Sequence, residues 1–314
     1  MGAQTAIDSR LPKLTRQYRS WCIDSIRWDY VNPREDDIIV TTSYKAGTTW
    51  MQGIIANLIF AGNEPPAPVG QLSPFVELRI MPLEIVLSEI EQQRHRRFLK
   101  THLPMDAFRF DPRLRYVYVG RDPRDVFMSL WNHHSSYTRE VSVLMNTLPG
   151  RVGPEKPECP EDIHVFWRDW ITRSLFEWES DGYPYWSHLR HVQSWWNYRH
   201  LPNILFVHYA DLLADLEGGM RRVANFLEIK LPESVWATMV RNCTFAEMKA
   251  HGNRYAPPDI DNIFEGGSQT FFHKGTNNRW REVLTPPELA QYEAAADRAL
   301  TPECWRWLEH GRKL

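Results

Sequence analysis

Four β-favouring residues in succession, Ile38 to Thr41, follow the polar run Arg34 to Asp37. A short apolar run bounded in this way predicts a strand buried on both faces. Small residues, a lysine, a glycine and two threonines then fill Ser43 to Thr49, after which Met51, Ile54, Ile55, Leu58 and Ile59 recur at helical spacing. Further strands are predicted at Phe98 to Thr101, at Tyr116 to Val119 and in the run Asn203 to Tyr209. A helical pattern runs through Leu83, Val86, Leu87 and Ile90. Another begins with Asp122 as N-cap and Pro123 as first helical residue, with Asp125 completing a near capping box. Asp211 is predicted to cap a helix through Leu212, Met220, Val223, Phe226 and Leu227. Gly62 to Pro74, Thr147 to Asp162 and His251 to Gly267 have no period and are rich in proline or glycine, so they predict loops. Strands alternating with helices across 38–228 predict an α/β fold, a parallel sheet flanked by helices.

Composition narrows the class. A chain of 314 residues, 43% hydrophobic and 13% aromatic, can bury a large core, and its 14 tryptophans suggest wide apolar packing with an aromatic-lined pocket as the alternative use. A formal charge of −2 with no dominant basic stripe argues against nucleic acid as partner. No apolar run approaches a membrane span, Met1 to Arg19 lacks a secretory h-region, and Ala6 breaks the myristoylation pattern after Gly2. Cys22, Cys159, Cys243 and Cys304 are scattered without a C-x-x-C pair, which suits free thiols, so a cytoplasmic location is expected. His133–His134 and His188…His191 lack a matching carboxylate or cysteine set, and no metal is expected.

Three stretches carry candidate chemistry. A strand, a tight loop and a helix start, as predicted over 38–50, aim free backbone N–H groups and the positive end of a helix dipole at one point, which favours an anion. The loop is not G-x-x-x-x-G-K-[ST], because Lys45 precedes Gly47 by two positions. Lys45, Thr48 and Thr49 suit phosphate or sulfate oxygens, and Trp50 offers a face for a base. His102 stands just past the strand ending at Thr101, at the carboxyl edge where chemistry collects in open α/β sheets. It reads either as a packed histidine or as a base acting near neutral pH. Arg121 stands at a second strand–turn–helix with Ser129 two turns on, positioned for a phosphate or, in the plainer reading, to pair with Asp125. Lys274 beside Gly275 reads equally as an anion site and as a basic surface loop.

Taken together these stretches resemble the cytosolic-type sulfotransferases. Tyr44-Lys45-Ala46-Gly47-Thr48-Thr49-Trp50 is similar to that family's Y-P-K-S-G-T-T-W loop, and Lys100-Thr101-His102-Leu103-Pro104 matches its K-T-H-L-P segment. Arg121 and Ser129 keep its eight-residue separation, Thr244-Phe245-x-Glu-Met resembles its adenine-side segment, and Phe272 to Trp280 resembles its R-K-G-x-x-G-D-W loop. The resemblance runs from about residue 33 to 286. It implies a single domain of P-loop-NTPase-like sulfotransferase fold, with residues 1–32 as an N-terminal extension and 251–280 as a segment covering the cofactor. It implies transfer of a sulfuryl group from 3′-phosphoadenosine 5′-phosphosulfate (PAPS) to a hydroxyl or amine of a small acceptor, leaving 3′-phosphoadenosine 5′-phosphate (PAP); the tryptophans and phenylalanines suggest an apolar pocket for that acceptor.

Residue by residue, the resemblance makes His102 the base, Lys45 the cation on the bridging oxygen and Lys100 a stabiliser of the sulfuryl oxygens. Ala46, Gly47, Thr48 and Thr49 surround the 5′-phosphate and Trp50 stacks on adenine. Arg121, Ser129, His273, Lys274 and Gly275 enclose the 3′-phosphate, with Tyr209, Thr244 and Phe245 around the base. His273 replaces an arginine and Asn278-Arg279 a Gly-Asp pair, which implies a looser, pH-dependent clamp. The family's C-terminal dimer motif survives only as Arg281…Thr285-Pro286, so the oligomeric state is left open. A P-loop kinase and a non-catalytic nucleotide-binding module are the alternatives.

Overall fold

The computed structural model describes residues 11–257 and 259–312; residues 1–10 of the predicted N-terminal extension lie outside them. All four predicted strands form: β1 (Ile38–Thr42), β2 (Phe98–Thr101), β3 (Arg115–Gly120) and β4 (Ile204–His208). They make one parallel sheet in the order β2-β1-β3-β4, with Thr41 opposite Thr101, Thr42 opposite Val119 and Gly120 opposite His208.

The unbroken apolar runs are explained by two cores. Ile39, Leu99, Tyr116, Tyr118 and Ile204 face one, while Ile38, Val40, Phe98, Val117, Val119, Leu205 and Val207 face the other. Alternate residues of a strand point to opposite faces, so a strand covered on both sides loses its polar half. The first core is aromatic, with Trp21, Trp167, Trp170 and Trp195 fully buried. The second is mainly aliphatic and receives Met51, Ile54, Ile55 and Leu58 from helix α1 (Thr48–Ile59). Arg97, just before β2, is fully buried in a two-bond pair with Asp37, its Nε 2.9 Å and its Nη2 2.5 Å from the carboxylate oxygens.

The predicted helix at Leu83–Gln92 forms (α2), and α3 (Pro123–Ser135) is capped by the Asp122 carboxylate, which accepts the Arg124 N–H at 2.8 Å. Asp125 does not close a capping box. Its Oδ1 accepts instead the backbone N–H of Asn278 at 2.7 Å, a long-range tie that helix-end rules cannot foresee. Asp211 is not a cap either. Tyr209 already begins a short helix behind His208, whose Nδ1 accepts the Ala210 N–H, and Asp211 accepts the Arg312 N–H. The next helix, α4 (Leu216–Phe226), is capped by Asp215 through the Gly218 N–H. Loops predicted at 62–74 and 251–267 contain helical turns at Val69–Leu72, Gly252–Tyr255 and Ile260–Ile263, too short to leave a period in the sequence. Among the described residues no helix is long and apolar enough to cross a membrane.

Candidate active site

Because all four strands are parallel, the residues that follow them emerge at one edge of the sheet. In strand order these are His102 after β2, the Ser43–Gly47 loop after β1, Arg121 after β3 and Tyr209 after β4. Strands lie about 4.8 Å apart, so this row spans roughly 14 Å. A cavity of about 820 Å³ runs along it, near the upper part of the range of about 300–1,000 Å³ seen for ligand sites.

The loop after β1 turns through two left-handed residues, Lys45 at φ 59° and Gly47 at φ 111°. A Cβ on Gly47 would lie 2.8 Å from the Tyr209 ring, so both its backbone and its surroundings require glycine. The turn delivers the chain into α1 with Thr48 at its first position, its hydroxyl 2.6 Å from that of Thr42. Successive N–H groups in such a turn, followed by a helix start, form an anion-holding concavity. The Lys45 ammonium reaches into the cavity, donates to His133 Nδ1 at 3.2 Å and lies 5.0 Å from the Phe271 ring. Burial, together with Arg121 and Lys100, pulls the Lys45 pKa down to about 7.

His102 stands where the resemblance requires. Its Nδ1 lies 2.9 Å from the Thr42 carbonyl oxygen, which can only accept, so Nδ1 carries the proton and Nε2 is left with a lone pair. The ring borders the cavity edge-on to Phe75. Burial, and then the Lys100 charge, push its pKa down to about 3, so the imidazole is neutral at any ordinary pH. Lys100, also bordering the cavity, is pulled down to about 8 by burial, partly opposed by Glu77.

At the other end Arg121 lies 4.1 Å over the Tyr209 ring and donates to Lys45 O, Thr276 O and Asn277 Oδ1 at 3.3, 3.0 and 3.1 Å. The pairing with Asp125 considered from sequence is not made: these acceptors are neutral oxygens, leaving the guanidinium charge uncompensated by a bonded acid. Tyr209 donates to Gly275 O at 3.1 Å. Gly275 has φ 66°, and a Cβ there would fall 2.4 Å from the Phe245 ring. Trp50 donates its Nε1–H to Cys243 O at 2.8 Å and meets Tyr209 edge-on.

Lys45, Gly47, Thr48, Thr49, Trp50, Lys100, His102, Arg121, Ser129, Tyr209, Phe245, His273, Lys274 and Gly275 all border this one cavity. Two predicted residues do not. Ala46 is fully buried with no side chain on the cavity, and the Thr244 hydroxyl caps the helix Phe245–Ala250, accepting the Glu247 N–H and donating to Arg241 O. The aromatic-lined pocket is present, but few tryptophans make it: Tyr44, Phe75, Tyr209, Phe245, Phe271 and Phe272 border the cavity, and of the 14 tryptophans Trp50 and Trp186 do. Asp125 and His133 were missed. They sit four residues either side of Ser129 on α3, so once Ser129 is placed at the site, helical period puts both on its face.

Residues 35–301 match the sequence profile described as Sulfotransferase domain. A glycolipid sulfotransferase of Mycobacterium bovis (strain BCG) is 30% identical over 94% of each chain, and sulfotransferase 1A1 of Rattus norvegicus is 24% identical over 85% of each. Mouse sulfotransferase SULT7A1 complexed with PAP superimposes with a TM-score of 0.67 at 22% identity, covering 90% of this chain and 92% of that one. Retinol dehydratase in complex with androsterone and inactive cofactor PAP superimposes at 0.66 and 22%, covering 89% and 87%. With its parallel sheet, its phosphate-type loop and a matching profile over most of its length, this chain belongs to the sulfotransferase family and has the P-loop-like sulfotransferase fold.

Proposed function

We propose that the protein transfers the sulfuryl group of PAPS to a hydroxyl of an apolar, lipid-like acceptor, with His102 as base. The observation that carries this reading is the neutral His102 imidazole, Nδ1 tied to Thr42 O, beside the Lys45 and Lys100 ammoniums on one cavity wall. The donor supplies an activated sulfuryl group on a phosphate leaving group. Thr48, Thr49 and the N–H groups of the loop hold the 5′-phosphate, and Trp50, Tyr209 and Phe245 enclose the adenine. Arg121, Ser129, Lys274 and Gly275 hold the 3′-phosphate, with His273 and Arg279 at its rim. Residues 251–280 form the cover.

During transfer His102 Nε2 takes the acceptor's hydroxyl proton as its oxygen attacks sulfur in line. The sulfur–oxygen bond to the phosphate breaks, and Lys45 stabilises the charge left on that oxygen. Lys100 faces the sulfuryl oxygens. A cation acting where charge develops lowers the barrier more than it tightens ground-state binding. Burial is the main cause that depresses His102, and the same ligand charges offset the part that Lys100 and Lys45 add, so its basicity rises when the donor is bound.

The acceptor class is supported by the apolar part of the lining, to which Phe75, Leu78, Met81, Val141, Met145 and Phe264 contribute. Leu144 borders it too and is 42% exposed, so apolar surface continues from the interior to the mouth. The mycobacterial relative named a glycolipid sulfotransferase agrees with such a substrate. The kinase alternative is not favoured, since Lys45 precedes the glycine and Asp125 Oδ1 is committed to the Asn278 N–H. Free Cys22, Cys159, Cys243 and Cys304 fit a reducing, cytoplasmic setting.

Labelled PAPS supplied with pooled hydroxylated lipids and sterols tests the reading. Label is expected in an acceptor with wild type, and about 10²- to 10⁴-fold more slowly with His102→Ala, which still binds PAP. Full turnover by that variant removes the base assignment, and no transfer by wild type removes the reaction.

A further inference from the structure

Among the buried acids that the transfer scheme leaves unused, Glu77 is the one bonded to His102. The Glu77 side chain is completely inaccessible, and every hydrogen bond to it comes from a donor. Oε1 accepts the backbone N–H of His102 at 2.6 Å and the Thr101 hydroxyl at 2.8 Å, while Oε2 accepts Trp28 Nε1–H at 2.7 Å. Burial pushes its pKa above the usual carboxylate range, and these three donors oppose that by favouring the charged form, whose oxygens can only accept. Its location has a topological reason. Thr101 is the last residue of β2 in register with β1, so the N–H of His102 is the first beyond the ladder and needs an acceptor the sheet does not provide.

The segment carrying Glu77 is itself pinned. The Asp24 N–H donates to Glu77 O at 2.8 Å, and the Arg27 guanidinium donates to Leu78 O and Met81 O at 2.5 and 2.7 Å. Residues 24–28 thereby brace the reactive histidine through one side chain. The charge matters as well. Lys100 bridges in parallel to Phe75, two residues before Glu77, and its ammonium lies 5.3 Å from the Phe75 ring; the groups coupled to it are Glu77, which raises its proton affinity, and His102 and Lys45, whose affinities it lowers. Glu77 is the one anion among these.

We propose that Glu77 is a positioning residue of the transfer reaction, holding His102 by its backbone and serving as the counter-ion that keeps Lys100 cationic beside the sulfuryl group. This rests on the reading of His102 and Lys100 given under the proposed function. Removing the anion lowers the proton affinity of Lys100, so the alkaline limb of the rate profile moves to lower pH, whereas loss of a purely structural contact leaves that limb in place.

The test compares Glu77→Gln, Glu77→Gln with Trp28→Phe, and Glu77→Asp. The carboxamide would turn its NH2 toward Trp28 Nε1–H, and the second substitution removes that donor and keeps the His102 contact, at the cost of a small cavity beside Phe108 that the thermal midpoint reads. Each variant is measured for kcat and KM with labelled donor from pH 6 to 10, for PAP affinity by calorimetry, and for its thermal midpoint. The double variant is expected to lose about 10- to 100-fold in kcat, as for a misplaced catalytic group. Its PAP affinity stays within about threefold and its alkaline limb falls by about one pH unit, as for loss of a nearby opposite charge. Glu77→Asp, with shorter reach but the same charge, loses kcat with the limb unmoved. Wild-type kcat and limb in the double variant overturn the proposal, as does a parallel fall of kcat and PAP affinity. If wild type itself transfers no label, the transfer reading fails and takes this with it; an active wild type beside an unaffected double variant removes Glu77 alone.

Discussion

Raising the pH from 7 to 9 should weaken donor-site binding through one side chain. Lys45 is pulled down to about 7 by burial and by the charges of Arg121 and Lys100. A lysine with that pKa is about half protonated at pH 7 and about 1% protonated at pH 9. If the ammonium is the form that meets the 5′-phosphate, the PAP dissociation constant rises about 50-fold over that interval, about 2.3 kcal/mol. The direction follows from the sign of the shift: a depressed lysine loses its charge as pH rises, and anion binding draws a proton back onto it. Calorimetry in two buffers of different ionisation enthalpy reads this directly. PAP binding at pH 8 should take up about 0.9 proton, as a site with a free pKa near 7 requires. The Lys45→Met variant should bind more weakly at pH 7 and show no such uptake. A wild-type dissociation constant that is flat from pH 7 to 9, or zero uptake at pH 8, refutes the assignment of Lys45 to the phosphate.

Two other outcomes follow from geometry. Gly47→Ala places a Cβ 2.8 Å from the Tyr209 ring at φ 111°, a strain of about 1–3 kcal/mol, and should lower PAP affinity by tenfold or more in the same titration. Arg97→Leu leaves Asp37 buried without its partner, and urea denaturation should show a loss of about 3–5 kcal/mol.

The sheet was legible because burial on both faces writes itself into four unbroken apolar runs, and the row of loops at its edge followed from their being parallel. His102, Lys45 and Arg121 were legible because each stands at a strand end. What escaped were contacts between segments far apart in the chain. Asp125 looked like half of a capping box and instead anchors Asn278, 153 residues on. Asp211 looked like a cap, but His208 does that work, because the imidazole Nδ1 accepts as a carboxylate would. Thr244 belongs to a matching motif, yet its hydroxyl is used by its own helix. Glu77 sits in a stretch without period, and only the fold brings it under His102.

The central claim is that two anion cradles, after β1 and after β3, hold opposite ends of one adenosine-containing ligand. Dissociation constants for PAP, for 5′-AMP and for ATP with magnesium, measured on wild type and Arg121→Ala, test it most directly. PAP should bind wild type about 100-fold more tightly than either competitor, the worth of about two charge-assisted contacts, and Arg121→Ala should erase the margin over 5′-AMP. Equal binding of PAP and 5′-AMP by wild type, or a preference for ATP with magnesium, would contradict it.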